Sequence, residues 1–237
     1  MKPFRFISGL IPLLIFLQAC APAYVPNAVP SPGLHEKGDL ALSAHYGNSG
    51  FDLQGAYGIS NHLGVMINGS YNNRTLDTAN YHKHGFLEAG LGYFSTEGEH
   101  MNWSVFGGFG GGNYQSYFES NIITNYNFVN INRFFIQPSA GFYSNYFESD
   151  LAFRLAFLSI KGYRDGINNN PERYEGFYTM LEPALTLKFG PEHFKFFFQG
   201  GMSFNLENSE YLDHNPFIMS LGIQVRFNPG MKRQAMQ

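Results

Sequence analysis

Eight charged side chains recur on one face of a period-two pattern: Asp52, Glu88, Asp150 and Glu182 with Arg154, Lys188, Lys195 and Arg226. Equal numbers of each sign on an enclosed face predict mutual neutralisation, because a lone charge taken out of water carries a large desolvation cost. Arg154 and Glu182 are expected to pair, with Glu88, Gln137 and Gln199 beside them. A gate or a carboxylate of raised pKa is the sharper chemistry such a set offers. The simpler expectation is that Glu88, Arg154, Glu182, Lys188, Lys195 and Arg226 form a structural charge network. His82 and His84, at i and i+2, share one face of a strand, and His45 and His214 are expected near the same end of the fold. Two imidazoles leave a metal site geometrically open, yet no carboxylate completes a recognisable motif, so neither a metal nor a cofactor is expected. The glycine run at 107–112 has no following Lys-Ser/Thr and no helix, which rejects a phosphate-binding loop. No catalytic residue is assigned.

These side chains need a scaffold, and the composition restricts it. Of 237 residues, 14% are charged and 17% aromatic, with 27 glycines and a net charge of -3. That is too aromatic for disorder and too charge-poor for an ordinary hydrated surface. Without a basic excess, nucleic acid is not an expected partner. The single cysteine, Cys20, excludes an intramolecular disulfide framework and a Cys-based zinc site. From Gly38 onward, apolar and polar residues alternate with period two. Leu151, Phe153, Leu155 and Phe157 oppose Asp150, Ala152, Arg154 and Ala156; Phe194, Phe196, Phe198, Met202 and Phe204 oppose Lys195, Gln199, Ser203 and Asn205. Ten such strands are predicted, starting near Asp39, Phe51, Leu63, His82, Asn102, Asn132, Ser149, Phe177, His193 and Phe217.

Their links alternate in length. Tight connections fall at 60–62, 95–100, 145–148 and 190–192, and long polar loops at 72–80, 117–131, 164–176 and 206–216, while the first link at 47–50 is short. The fold class expected is all-β: an up-and-down antiparallel closed barrel of about ten strands, of the transmembrane type, with turns at one rim and loops at the other. Eleven residues at about 3.3 Å each, tilted about 40°, rise roughly 28 Å, near the apolar band of such barrels. The face opposite the apolar one offers Gly, Ala, Ser, Asn and Gln, which suits a narrow crowded lumen better than open water. Tyr46, Tyr71, Tyr81, Tyr93, Phe94, Tyr143, Tyr163, Phe177, Phe189 and Phe227 cluster at strand ends, as two interfacial belts would.

The N-terminus reads as an address. Lys2 and Arg5 precede an apolar run from Phe6 to Leu17, too short to span a bilayer but suited to a secretion signal. Leu17-Gln18-Ala19-Cys20 resembles the lipobox of bacterial lipoproteins, which implies acylation of Cys20, and Ala21 after it resembles the pattern released to the outer membrane. Residues 1–20 are therefore read as a lipoprotein signal peptide cleaved before Cys20, 21–37 as a Pro-rich extended tether, 38–228 as the barrel and 229–237 as a tail. Ser220-Leu221-Gly222-Ile223-Gln224-Val225-Arg226-Phe227 resembles the closing assembly signal of outer-membrane proteins, which implies the barrel assembly machinery as a partner. With Ala21-Pro22-Ala23-Tyr24-Val25-Pro26-Asn27 and residues 50–71, the chain resembles an uncharacterised family of Gram-negative lipoproteins with an outer-membrane β-barrel domain.

The functional expectation is a non-enzymatic outer-membrane barrel lipoprotein with a plugged, charge-paired lumen, in contact with outer-membrane lipid and with an extracellular partner at its long loops. It is expected to be anchored at Cys20 with both termini on the periplasmic side. Two alternatives stand beside it. Asp77, His82 and Asp213 could imitate the rim sites of barrel enzymes such as omptin proteases and lipid A deacylases; an apolar interior would instead make a lipid-tethered soluble carrier.

Overall fold

The computed structural model describes residues 22–75, 80–98, 100–119, 124–165, 171–207 and 212–227. The alternating sequence segments become ten antiparallel strands, each paired with its neighbours in the chain: β1 (Leu40–Gly47), β2 (Gly50–Gly58), β3 (Leu63–Thr75), β4 (Tyr81–Glu97), β5 (Met101–Glu119), β6 (Thr124–Tyr143), β7 (Phe147–Asp165), β8 (Pro171–Phe189), β9 (Phe194–Met202, resumed at Phe204–Asn205) and β10 (Phe217–Phe227). The seam closes where β1 pairs with β10, from Leu40 opposite Phe227 to Gly47 opposite Ser220. A closed up-and-down barrel leaves no strand edge open.

Side chains sort by parity, as the pleat requires. Phe153, Phe196 and Leu221 point outward and are 44%, 60% and 63% exposed, while Arg133, Arg154, Glu182 and Gln199 point inward and are completely buried. Tyr46, Tyr71, Tyr93, Tyr163, Phe189 and Phe227 lie on the outside toward the strand ends and Phe177 on the outside within β8, whereas Phe94 has the opposite parity and is buried inside.

Proline marks two interruptions of the ladders. Pro138 has no N–H to donate, and the β6–β7 pairing skips from Ile136–Leu155 to Ser139–Ala152. The β8–β9 pairing stops at Ala184 next to Pro183, and β9 breaks at Ser203, whose N–H is taken by the Pro216 carbonyl at 2.8 Å.

The two rims differ as expected, but the loops are shorter than the sequence suggests. β6 begins at Thr124, not near Asn132, and β8 at Pro171, not near Phe177. Much of the 117–131 and 164–176 loops is paired strand, with Glu119 opposite Thr124 and Asp165 opposite Pro171. The alternation fades there because Asn127 on the inner face and Asn130 and Asn132 on the outer face put polar residues on both. The four strands β5 to β8 have 19 or 20 residues each, against 8 and 9 for β1 and β2, so they extend beyond the rest of the wall at the long-loop rim.

The largest departure is the Pro-rich segment. The expected tether at 21–37 is no solvent-exposed linker: residues 22–39 run through the barrel, and residues 23–32 are buried without a break. They enter at the long-loop rim, where Ser116 Oγ donates to the Pro22 carbonyl at 3.3 Å, and they leave at the turn rim, where Gly38 N–H donates to the Gly58 carbonyl at 2.8 Å. The described chain therefore starts at the rim opposite the one where β1 begins.

Candidate functional site

The lumen is filled in layers by this segment and by inward side chains. Nearest the long-loop rim lies an apolar plug of Tyr24, Tyr114, Ile131, Ile160, Tyr178 and Leu212. Over it, residues 212–215 fold back and pair with the entering segment. The Asp213 carbonyl accepts from Ala23 N–H at 2.8 Å, Asn215 N–H donates to the Tyr24 carbonyl at 2.9 Å, and Tyr24 bridges His214.

Below is a four-charge layer. Arg133 grips Glu88 through Nε at 3.1 Å and through Nη2, and Arg154 Nε reaches Glu182 Oε2 at 2.5 Å. Arg154 Nη1 lies 3.8 Å from Glu88 Oε1, which links the two pairs. The segment is tied into this layer. Tyr24 OH donates to Glu182 Oε1 at 2.9 Å while accepting from Arg133 Nη1 at 2.9 Å, and Asn27 Oδ1 accepts from Arg133 Nη2 at 2.7 Å. Arg154 Nη2 also donates to the Asn27 carbonyl at 3.0 Å. Two carboxylates and two guanidiniums neutralise each other, with the hydrogen bonds that buried ions require.

Toward the turn rim, the wall reads the segment through its main chain. Gln54 donates to the Ala28 carbonyl at 3.0 Å, and Gln137 to the Pro30 carbonyl at 2.8 Å. Gln199 accepts from Val29 N–H at 2.8 Å and returns a bond to the Val29 carbonyl at 2.7 Å. Asp52 accepts from Ser49 at 2.6 Å and from Ala28 N–H at 3.4 Å.

A second ionic cluster sits beside Ser31 and Gly33. Arg226 forms a two-point pair with Glu148 at 3.1 Å, Lys188 and Lys195 lie 3.9 and 3.7 Å from the same carboxylate, and Lys188 donates to the Ser31 carbonyl at 2.5 Å. Gly33 has φ of 57°, and a Cβ there would come within 2.7 Å of Arg226 Nη2, so a side chain would be both strained and crowded.

At the turn rim, the His35 ring packs at a tilt against Tyr143, with centroids 4.2 Å apart, and burial with the nearby Arg226 cation lowers its pKa to about 4. Asp39 caps the turn by accepting from His35 and Glu36 N–H at 2.7 and 3.1 Å, and burial raises its pKa.

The six network residues named from the sequence are thus all enclosed, but they fall into two clusters. Glu88, Arg154 and Glu182 share one; Lys188, Lys195 and Arg226 share the other. Gln137 and Gln199 bind the segment instead of the ion pairs. Sequence reasoning missed Arg133 and Glu148. Arg133 shares the face of Gln137 four residues on, and Glu148 shares that of Asp150 and Arg154, so strand parity was the available signal.

The histidines do not converge. His45 lies between Ser43 and Ser220 at 3.0 and 3.5 Å, and His214 bonds the Leu212 and Ser203 carbonyls at 3.0 and 3.1 Å. His82 and His84 do meet, at 2.9 Å, with Ser70 Oγ 3.0 Å from the far side of His84. Among the described residues, no group of three His, Cys, Asp or Glu is placed to hold a metal. Cys20 and Asp77 lie outside the described residues. The void between Pro30, Pro32, Ala41, Gln54 and Gln224 measures about 10 Å³, room for one water. Chemically, the arrangement closes a passage. No protein-family model matches the chain, and no curated protein is a match to it.

Proposed function

We propose that this protein is an outer-membrane β-barrel lipoprotein, acylated at Cys20, whose lumen is stoppered by its own residues 22–39 and whose long-loop rim serves envelope structure or contact with a partner outside the cell. The observation that carries the reading is the distribution of polarity. A continuous outer face of Leu53, Phe153, Phe196 and Leu221 surrounds completely buried Arg133, Arg154 and Glu182, the reverse of a barrel dissolved in water. Hydrocarbon cannot hydrogen-bond the backbone, and a closed ladder satisfies that demand. The filled lumen supports a structural role over a carrier, since residues 23–32 and the inward side chains occupy the interior among the described residues. Assembly by the barrel machinery fits the position of Ser220–Phe227 on β10, the strand that closes the seam.

Leu221→Arg and Phe153→Arg test this reading. A cation on a lipid-facing site near mid-depth costs about 2–4 kcal/mol, so both variants should lose heat-modifiable mobility and accumulate poorly in the membrane fraction. A water-facing site tolerates the same change within about 0.5 kcal/mol. Normal folding of both variants, with extraction from cells in aqueous buffer, would refute the membrane-spanning reading.

A further inference from the structure

We infer that the mature N-terminus leaves the barrel at the long-loop rim, so that the lipid anchor sits on the same side of the membrane as the long loops, outside the cell. This rests on the reading of Cys20 proposed above and replaces the expectation that both termini face the periplasm.

The direction of the segment carries the inference. At its start, Pro22 contacts Ser116 near the end of β5, and Ala23 and Tyr24 pair with Asp213 and His214 in the loop between β9 and β10. Asn27 lies at the level of the four-charge layer. Gly33 then reaches Arg226 and Glu148, Leu34 approaches Gly64 and His35 packs against Tyr143, all beside tight turns. Leu40 enters β1 at that rim. Order along the chain and order through the lumen agree at every contact.

Distance decides where the anchor goes. Cys20 precedes Pro22 by two residues, a reach of at most about 7 Å. Returning to the turn rim would require recrossing a lumen roughly 28 Å deep that the segment itself already fills. Lateral escape is closed as well, because β1 and β10 pair over eight successive residue pairs. Acyl chains resist transfer through water, at a cost that grows with every methylene, so they insert in the leaflet nearest their exit. The closed seam adds a consequence for assembly. The segment is held by Gln54, Gln137, Gln199 and the ion pairs on all sides, so the acylated end must be in place before β1 meets β10.

The experiment uses the full chain with its own signal peptide in a Gram-negative host fed alkynyl palmitate. A tobacco etch virus protease site is inserted between Ala21 and Pro22, with control sites in the turns at Asn48-Ser49 and Ser60-Asn61. Each form is first checked for heat-modifiable mobility. Protease added to intact cells should cut the N-terminal and Asn48 sites, spare the Asn61 site, and separate the alkynyl label from the barrel. Cutting of the N-terminal site only after the outer membrane is permeabilised, with the label kept on the barrel until then, overturns the inference. Absence of label before protease is added overturns the acylation reading and the anchor with it; the cleavage pattern in that same sample still reports the rim at which the chain leaves, so the two failures are told apart. Should the insertion prevent folding, Pro22→Cys provides the same readout through a membrane-impermeant biotin maleimide, with labelling of intact cells expected and labelling only of lysed cells refuting the placement.

Discussion

Arg133 bonds Glu88, Tyr24 and Asn27 and lies 4.4 Å above the Phe86 ring, so it joins the wall to the segment more than any other buried cation described. Removing one partner of a buried pair leaves an uncompensated charge, at a cost of about 3–5 kcal/mol. Arg133→Met should therefore lower the temperature at which the barrel loses its compact gel mobility, and adding Glu88→Gln should recover part of the loss, because the stranded carboxylate is then gone. An unrecovered double variant would show that the packing of Arg133, not its charge, is what counts. His35 gives a pH signature. Its folded pKa, lowered by burial to about 4 against 6.5 for the free side chain, means that the unfolded chain binds the extra proton first. The stability due to neutral His35 is complete above pH 6.5 and is lost as pH falls toward 4, on the order of 3 kcal/mol. Asp39, whose pKa is raised by burial, acts in the opposite direction, since its folded state takes up a proton at a higher pH than the unfolded one. The His35 contribution is isolated by comparing wild type with His35→Gln in urea titrations between pH 7 and 4.5. The slope with pH should be steeper in wild type, and equal slopes would refute it.

Among the elements, β5 shows how strand and segment share one volume. Its inward positions include Gly108, Gly110 and Gly112, and a Cβ on Gly110 would lie 2.4 Å from the Glu88 Cβ, whereas one on Gly107, facing out, meets nothing closer than 3.5 Å. Gly110→Ala should displace Glu88 from Arg133 and cost about 1–3 kcal/mol as overpacking. Gly107→Ala should be tolerated, and a thermal comparison of the two variants that finds equal losses would contradict this geometry. Such positions were legible in the sequence, since alternation places Phe109 outside and its neighbours inside, and the glycine run already suggested a crowded wall. The threaded segment was not legible. Its prolines, Pro22, Pro26, Pro30 and Pro32, lack the N–H that would announce a strand. What holds it is written elsewhere, in Gln54, Gln137, Gln199 and Lys188, which bind its main-chain carbonyls. A stretch recognised through its backbone keeps the composition of a linker, so only the wall residues carried the information, and on a strand their amides read as ordinary polar filling. Arg133 escaped for a related reason: with Asn on both faces from 124 to 132, the start of β6 was placed too late and the residue fell at its edge.

The whole molecule combines a barrel wall that was readable from period-two alternation with a core supplied by a segment that was not. This division makes the wall and its filling separable in an experiment. The ladders from β1 around to β10 involve no residue before Leu40, so deletion of residues 22–38, keeping the signal and Cys20-Ala21 joined to Asp39, leaves every strand pairing available. What the deletion removes is Tyr24, Val25, Val29 and Leu34 from the interior, together with the main-chain partners of the glutamines and of Lys188. Water can then enter and hydrate Glu88, Arg133, Arg154 and Glu182, which still neutralise one another, so the barrel should persist at a lower melting temperature. In planar bilayers the intact protein should be silent, because residues 23–32 and the inward side chains occupy the lumen among the described residues. The deleted form should conduct, with little preference for ion sign at the balanced four-charge layer and a mild anion preference where Lys188, Lys195 and Arg226 outnumber Glu148 and Asp150. Adding Glu148→Gln should strengthen the anion preference, read as a shift of reversal potential in a salt gradient. A deleted barrel that keeps heat-modifiable mobility yet never conducts would mean that the wall closes on itself, and that the segment occupies the lumen without being what seals it.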